Sequence, residues 1–209
     1  MTIHILTRDF FIRPTLEVAR DLIGKLLLHE EGDQRLVGRI VETEAYREDD
    51  PACHAWSEVK RREGKSPWRG QVLMGEPGIA YVYLNYGMYW LLNVVTEPAG
   101  VGAAVLIRAV EPIEGIEVMR ARRNVRHDRD LTNGPGKLTV AFGIDDRYHR
   151  RPLTEPPLYL AAQNPPRPIR VAVSKRIGIV KGAELPWRFY VPGNAWVSGR
   201  NMRVLDPFT

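Results

Sequence analysis

The chain has 209 residues, is 44% hydrophobic and 26% charged, and carries a formal net charge of +5. This is enough apolar material for a core, and the only cysteine, Cys53, excludes an intrachain disulfide. No Cys/His cluster has zinc-ligand spacing, no apolar run is long enough to span a bilayer, and Met1 to Phe11 lacks the basic start and apolar core of an export signal, so the expectation is a soluble cytoplasmic protein with no bound metal.

Pro14 and Thr15 open a helix in which Leu16, Val18, Ala19, Leu22 and Ile23 recur at helical spacing, with Gly24 as its stop. Lys25 to His29 reads as extended. Leu36 to Tyr46 (LVGRIVETEAY) is rich in β-branched residues and reads as a strand. Arg47 to Pro77 is polar and glycine-containing, a long loop with room for one short helix. Ile79 to Asn85 and Tyr89 to Thr96 are strands joined through Tyr86-Gly87-Met88, a hairpin with Gly87 in the turn. Ala103 to Val110 is a fourth strand, and Ile113 to Asn124 an amphipathic helix with Arg120, Arg122 and Arg123 near its end. Asn133 to Gly136 is a loop that starts a short helix from Lys137 to Phe142. Beyond Asp145 the chain is proline-rich, with short strands around Ile169 to Val173 and Arg188 to Val191. There is no internal repeat, and the order of elements indicates one α+β domain, residues 1–209, with a mostly antiparallel sheet.

Three polar residues interrupt strands that otherwise look buried: Glu44 in LVGRIVETEAY, Asn93 in YWLLNVVT and Arg108 in AAVLIRAV. Alternation puts Glu42, Glu44 and Tyr46 on one side of their strand. A buried carboxylate or guanidinium is costly unless paired, so the economical arrangement makes these strands neighbours around one polar pocket. Such a pocket serves either as a structural ion pair between Arg108 and Glu42 or Glu44, or as a hydrolytic site. In the second case the carboxylate takes a proton from water while the arginine holds the geometry and keeps the carboxylate ionised.

The hairpin crowds Tyr81, Tyr83, Tyr86, Tyr89 and Trp90 together. Tyr81, Tyr89 and Trp90 fit ordinary cross-strand packing. Tyr83 and Tyr86 are open to a second role, since an aromatic at an exposed tip is poorly placed for a core and well placed to stack on a base or wedge between base pairs. Two basic groups flank these strands: Lys60, Arg61, Arg62, Lys65 and Arg69 in the long loop, and Arg120, Arg122, Arg123, Arg126 and Arg129 further on. Clustered cations beside exposed aromatics suit a phosphate backbone with base stacking, although charge runs also form plain solvated faces.

Taken together, VETEAY (Val41 to Tyr46), His54, YVYLNYGMYWLLN (Tyr81 to Asn93), VLIRAVEPIEG (Val105 to Gly115), GPGKL (Gly134 to Leu138) and RFYVPGNAWVS (Arg188 to Ser198) resemble, in order and spacing, the alkyladenine (3-methyladenine) DNA glycosylases. The resemblance covers about Phe10 to Ser198; the long loop departs from it, with Pro67-Trp68-Arg69-Gly70 and extra basic residues from Lys60 to Lys65.

The resemblance implies a single α+β domain around a curved, mostly antiparallel sheet with a protruding hairpin and flanking helices. It implies a monofunctional enzyme that flips damaged purines from double-stranded DNA and hydrolyses their N-glycosidic bond, with no cofactor, no lyase step and a monomer as the default. Glu44 is implied as general base and Arg108 as the residue that helps hold the attacking water. Tyr46 and His54 are implied as one wall of the base pocket, Tyr83 as the opposing wall, and Asn93 as the residue that crowds a guanine 2-amino group. Tyr86 is implied as the wedge in a DNA-contacting tip with Gly87 and Met88, and Arg120, Gly136 and Lys137 as backbone contacts.

Overall fold

The computed structural model describes residues 2–56, 69–166 and 168–199. Among them, β1 (Thr2–Ile5), β2 (Leu26–Glu31), β3 (Gln34–Tyr46), β4 (Ala80–Asn85), β5 (Tyr89–Val95), β6 (Ala104–Glu114), β7 (Leu158–Asn164), β8 (Ala172–Ser174) and β9 (Arg188–Tyr190) form one antiparallel sheet. Its main path runs β1-β7-β2-β3-β6-β5-β4, and β9 joins β3 and carries β8 beside it. Four α-helices accompany it: α1 (Arg8–Phe11), α2 (Thr15–Asp21), α3 (Ile116–Arg122) and α4 (Pro135–Phe142).

The thirteen-residue β3 organises the sheet. Along one edge it pairs throughout with β6; along the other its first half pairs with β2 and its second half, Glu42 to Glu44, with β9. Register slips between Ile40 and Thr43 mark bulges against β6, which bend and twist a strand at the point where it changes partners.

Alternation then sorts the two faces. Ala80 and Val82 of β4, Leu92 and Val94 of β5, and Val105 and Ile107 of β6 join Phe11, Leu22, Leu138 and Phe142 from the helical side in the main core. Each such large apolar side chain contributes roughly 1.5–3 kcal/mol through burial. Tyr81, Val95 and Ala104 point the other way and pack with Cys53, Ala55, Val72 and Leu73 from the long loop. This second face is therefore covered by a loop rather than by helices.

The sequence expectations hold for α2, β3, the β4–β5 hairpin and α4, and they need correction elsewhere. β6 continues to Glu114 because Pro112 and Glu114 still pair with Gly38 and Val37. Helix α3 therefore starts only after Gly115, whose φ of +77° ends the strand. The proline-rich C-terminal third also contains β7, which fills the place between β1 and β2. Its first four residues are all buried, so it shows no alternation. In the long loop, a 3-10 turn at Arg69–Met74 packs back on residues 54–55. A Cβ at Gly70 would lie 2.4 Å from the His54 carbonyl oxygen, so only glycine permits that approach.

Candidate active site

Glu44, Leu106 and Asn93 lie in one cross-strand row over β3, β6 and β5, and Arg108 stands two residues along β6 on the same face. The three strands are thus neighbours and the polar residues converge. Arg108 donates from Nε to Glu42 Oε1 at 2.9 Å and from Nη1 to Glu44 Oε2 at 3.1 Å. It bridges both carboxylates of VETE rather than choosing one. Burial disfavours charge on this guanidinium, but the charges of Glu44 and Glu42 outweigh it and raise its pKa above the usual arginine value.

Glu42 anchors the arrangement from behind. Its Oε1 also accepts from Arg188 Nε at 2.6 Å and Ser198 Oγ at 2.7 Å, and its Oε2 accepts from the Ser198 amide at 2.6 Å. Two carboxylates and two guanidiniums therefore compensate one another in a site where Glu42, Glu44 and Arg188 are fully buried. Removing one member of such a set leaves an unpaired buried charge, at a cost of about 3–5 kcal/mol.

Glu44 has two further partners. The Tyr46 hydroxyl donates to Oε2 at 2.9 Å, and the Ile177 amide donates to Oε1 at 2.8 Å. Burial, followed by the charge of Glu44, pushes the Tyr46 phenol well above its usual pKa, so it stays a donor.

In front of this network lies a cavity of about 370 Å³, within the ~300–1,000 Å³ range of small-molecule sites. Tyr46, His54, Tyr81, Tyr83, Asn93 and Arg108 line it, as do Leu106 and the backbone of Ile177 to Ile179. Glu44 sits just behind that lining and is itself 0% exposed. The Tyr81 and Tyr83 rings stack at 5.1 Å, and His54 meets Tyr83 edge-on at 4.8 Å. The two expected walls thus meet at His54, which touches Tyr83 directly. A His54 Nδ1 to Tyr81 hydroxyl hydrogen bond of 2.7 Å fixes the imidazole. Asn93 donates to the Tyr81 carbonyl at 3.1 Å, so it is both a structural hydrogen-bonding residue and part of the cavity wall.

Tyr86 stands at the rim of the same cavity and is 84% exposed, with Met88 at 68%. The turn closes through the Met88 amide to the Asn85 carbonyl at 3.0 Å, with φ of +49° at Tyr86 and +69° at Gly87. A left-handed tyrosine costs about 1–2 kcal/mol. Holding one in water, against its backbone preference, points to use of the side chain rather than to packing.

Pro135, at the start of α4, lines the cavity as well. Gly136 lets α4 approach β5, since a Cβ there would lie 2.7 Å from Tyr89 Cβ. Lys137 Nζ donates to Asn133 at 2.7 Å. Arg120 is exposed but paired with Asp128 and Glu117, so a phosphate would have to compete with two carboxylates. The basic group from Lys60 to Lys65 lies outside the described residues, and of Arg69 only the backbone is described.

Several site residues escape a reading of single strands. Tyr81 belongs to the cavity, and its alternation with Tyr83 was the available signal. The segment after β8 had none: Ile177 reaches Glu44 from 133 residues away. Cys53 lines the cavity too, but burial pushes its thiol up to about 12, which makes it wall rather than nucleophile. Among the described residues no group of three or more His, Cys, Asp or Glu side chains is placed to hold a metal, and no helix is long and apolar enough to cross a membrane.

Comparison with known proteins places the chain in a family. A family model described as methylpurine-DNA glycosylase matches residues 9–195. A protein of Salinibacter ruber, provisionally named a 3-methyladenine DNA glycosylase, is 57% identical over 198 residues, covering 92% of this chain and 96% of its own length. Similarly named proteins of Chlorobium phaeobacteroides and Carboxydothermus hydrogenoformans are 45% and 43% identical, each over 93% of this chain and over 96% and 98% of their own lengths. With the family pattern running over nearly its whole length, the chain belongs to the methylpurine-DNA glycosylase family.

Proposed function

We propose that this protein removes damaged purines from double-stranded DNA by hydrolysing the N-glycosidic bond, with Glu44 activating the water. The observation that carries this reading is a buried carboxylate, held by Arg108, directly behind an aromatic cavity whose rim bears an exposed tyrosine. A base inside a duplex is out of reach, so the nucleotide swings out at a cost of a few kcal/mol, least where pairing is already damaged. Tyr86 fills the gap. The extruded purine sits between Tyr83 and Tyr46, with His54 at the junction of the two walls and Asn93 against the position of a guanine 2-amino group.

Alkylation at N3 or N7 makes the purine cationic, which the aromatic faces attract and which weakens its bond to the sugar. A carboxylate offers about four lone-pair directions, and described donors take three of those on Glu44. The fourth, on Oε1, can receive the proton of a water attacking the anomeric carbon. The oxygen–carbon bond forms, the carbon–nitrogen bond breaks, its electron pair leaves with the purine, and the carboxylate steadies the developing oxocarbenium charge. The substrate class is 3-methyladenine, 7-methylguanine, hypoxanthine and ethenoadenine.

The products of this reaction are a free base and an intact abasic strand, formed by simple hydrolysis without a Schiff base. Duplex DNA is the partner, and one chain suffices for one site.

The test is single-turnover base release from duplexes carrying each lesion in turn or undamaged adenine, with wild type beside Glu44→Gln. Release from damaged duplexes only, abolished in the variant while binding persists, is the expected result. Excision at the wild-type rate by Glu44→Gln would remove Glu44 from its role, and a nicked strand in place of an intact abasic one would overturn the hydrolytic outcome.

A further inference from the structure

Arg176 and Asp50 form a second buried ion pair behind the cavity lining, outside the Glu42–Arg108 network. Both side chains are fully buried. Arg176 donates to both carboxylate oxygens of Asp50, from Nη2 to Oδ1 at 3.0 Å and from Nη1 to Oδ2. Nη1 also reaches the Ala45 carbonyl at 2.9 Å and Nη2 the Gly182 carbonyl at 3.0 Å. A buried pair of this kind is weak evidence for stability, because apolar replacements of similar volume are often neutral or better. Its position suggests another use.

Among the described residues, the two partners of the Glu44 carboxylate other than Arg108 both adjoin Arg176. The guanidinium carbon lies 4.6 Å from the centroid of the Tyr46 ring, whose hydroxyl donates to Oε2. The next amide in the chain, that of Ile177, donates to Oε1. Asp50 extends the same control to the far wall: its Oδ1 accepts from the Ala52 amide at 2.9 Å, fixing the turn that delivers His54. Gly182 closes the loop against the pair, where a Cβ would lie 2.7 Å from Asp50 Oδ1.

We propose that Asp50 and Arg176 are positioning residues for base release, their ion pair holding the Tyr46 ring and the Ile177 amide against Glu44. The proposal rests on Glu44 as the reacting carboxylate. Arg176 touches neither sugar nor base; it acts through the two groups that aim Glu44. The charged and titratable groups around that carboxylate are Glu42 and Tyr46 from its own strand, Arg108 from β6, Arg188 opposite it on β9, and Arg176 with Asp50 from the loops.

The test uses Arg176→Lys, which keeps the charge but loses the planar fork and the stack on Tyr46. Base release under single turnover should fall by up to roughly 100-fold, as a misplacement of about 1 Å can cause. Binding to damaged duplex should be retained. The neutral pair Asp50→Asn with Arg176→Gln leaves no unpaired buried charge and carries the same test if the lysine variant does not fold. A purely structural pair would lower the melting temperature while leaving the single-turnover rate per folded molecule unchanged, and that result would overturn the proposal. Glu44→Gln run in parallel separates the two readings: an active glutamine variant defeats the role of Glu44 itself, whatever Arg176 does.

Discussion

Tyr86 and Glu44 sit a cavity apart and answer to opposite physical demands. Tyr86 is exposed in a left-handed turn and makes no contribution to a core. Truncating it should leave thermal stability nearly unchanged, or raise it if the turn relaxes. Its expected effect is on binding: Tyr86→Ala should weaken affinity for damaged duplex more than for a single strand of the same sequence, since only a duplex has a gap to fill. Titration of both substrates checks this, and equal losses would rule out a wedge. Glu44, in contrast, is buried with three donors aimed at it. Truncation there takes one of the two carboxylates away from Arg108 and should cost stability as well as activity, which is why Glu44→Gln, with nearly the same shape, is the informative variant.

Among the elements, β3 carries the buried carboxylates of the site because it alone is flanked by β6 on one edge and by β2 and then β9 on the other. The handover from β2 to β9 buries Glu42 and Glu44 on both sides and admits Arg188 and Ser198 to the network. At the opposite end of the sheet, β2 is tied to α4 by a buried histidine. His29 Nδ1 faces the Phe142 carbonyl at 2.7 Å, so Nδ1 must carry the proton and Nε2 accepts from the Tyr148 hydroxyl at 2.6 Å. Burial lowers the His29 pKa below its usual 6.5, against the Phe142 carbonyl, which raises it. The unfolded chain therefore binds a proton that the folded chain resists. Stability from this group is complete above the unfolded pKa and is lost as pH falls below it toward the lowered folded value. Unfolding measured from about pH 7 down to about pH 5 should show a falling midpoint in wild type and a shallower fall in His29→Gln. Identical slopes would show that His29 does not control this range.

For the whole molecule, the excess of +5 charges is the long-range attraction for a polyanion. Much of the visible basic surface is already paired, including Arg120 with Asp128, Arg147 with Asp145 and Arg35 with Glu30 and Glu114. Contacts to DNA should therefore concentrate near the cavity mouth, where the start of α4 offers backbone amides and Lys137. The logarithm of duplex affinity should fall linearly with the logarithm of salt concentration, and Lys137→Ala should reduce that slope by about one. An unchanged slope would place the phosphate contacts elsewhere on the surface.

Local pattern was sufficient for what depends on local pattern. Period-two alternation and turn chemistry located β3, the Tyr86 hairpin and the convergence of Glu44, Asn93 and Arg108, because burial of charge forces such residues together. The order of motifs along the chain was enough to indicate the family. Strand β7 was illegible because a strand buried on both faces loses its alternation, and it stands between proline pairs. The holders of the site were illegible for a different reason. Asp50 meets Arg176 across 126 residues and Glu42 meets Ser198 across 156, and no periodicity links such positions. Only the closing of β9 onto β3 brings them together. The buried carboxylate of Glu44 was thus written in its own strand, while the partners that hold it were decided by chain segments that meet only in the folded sheet.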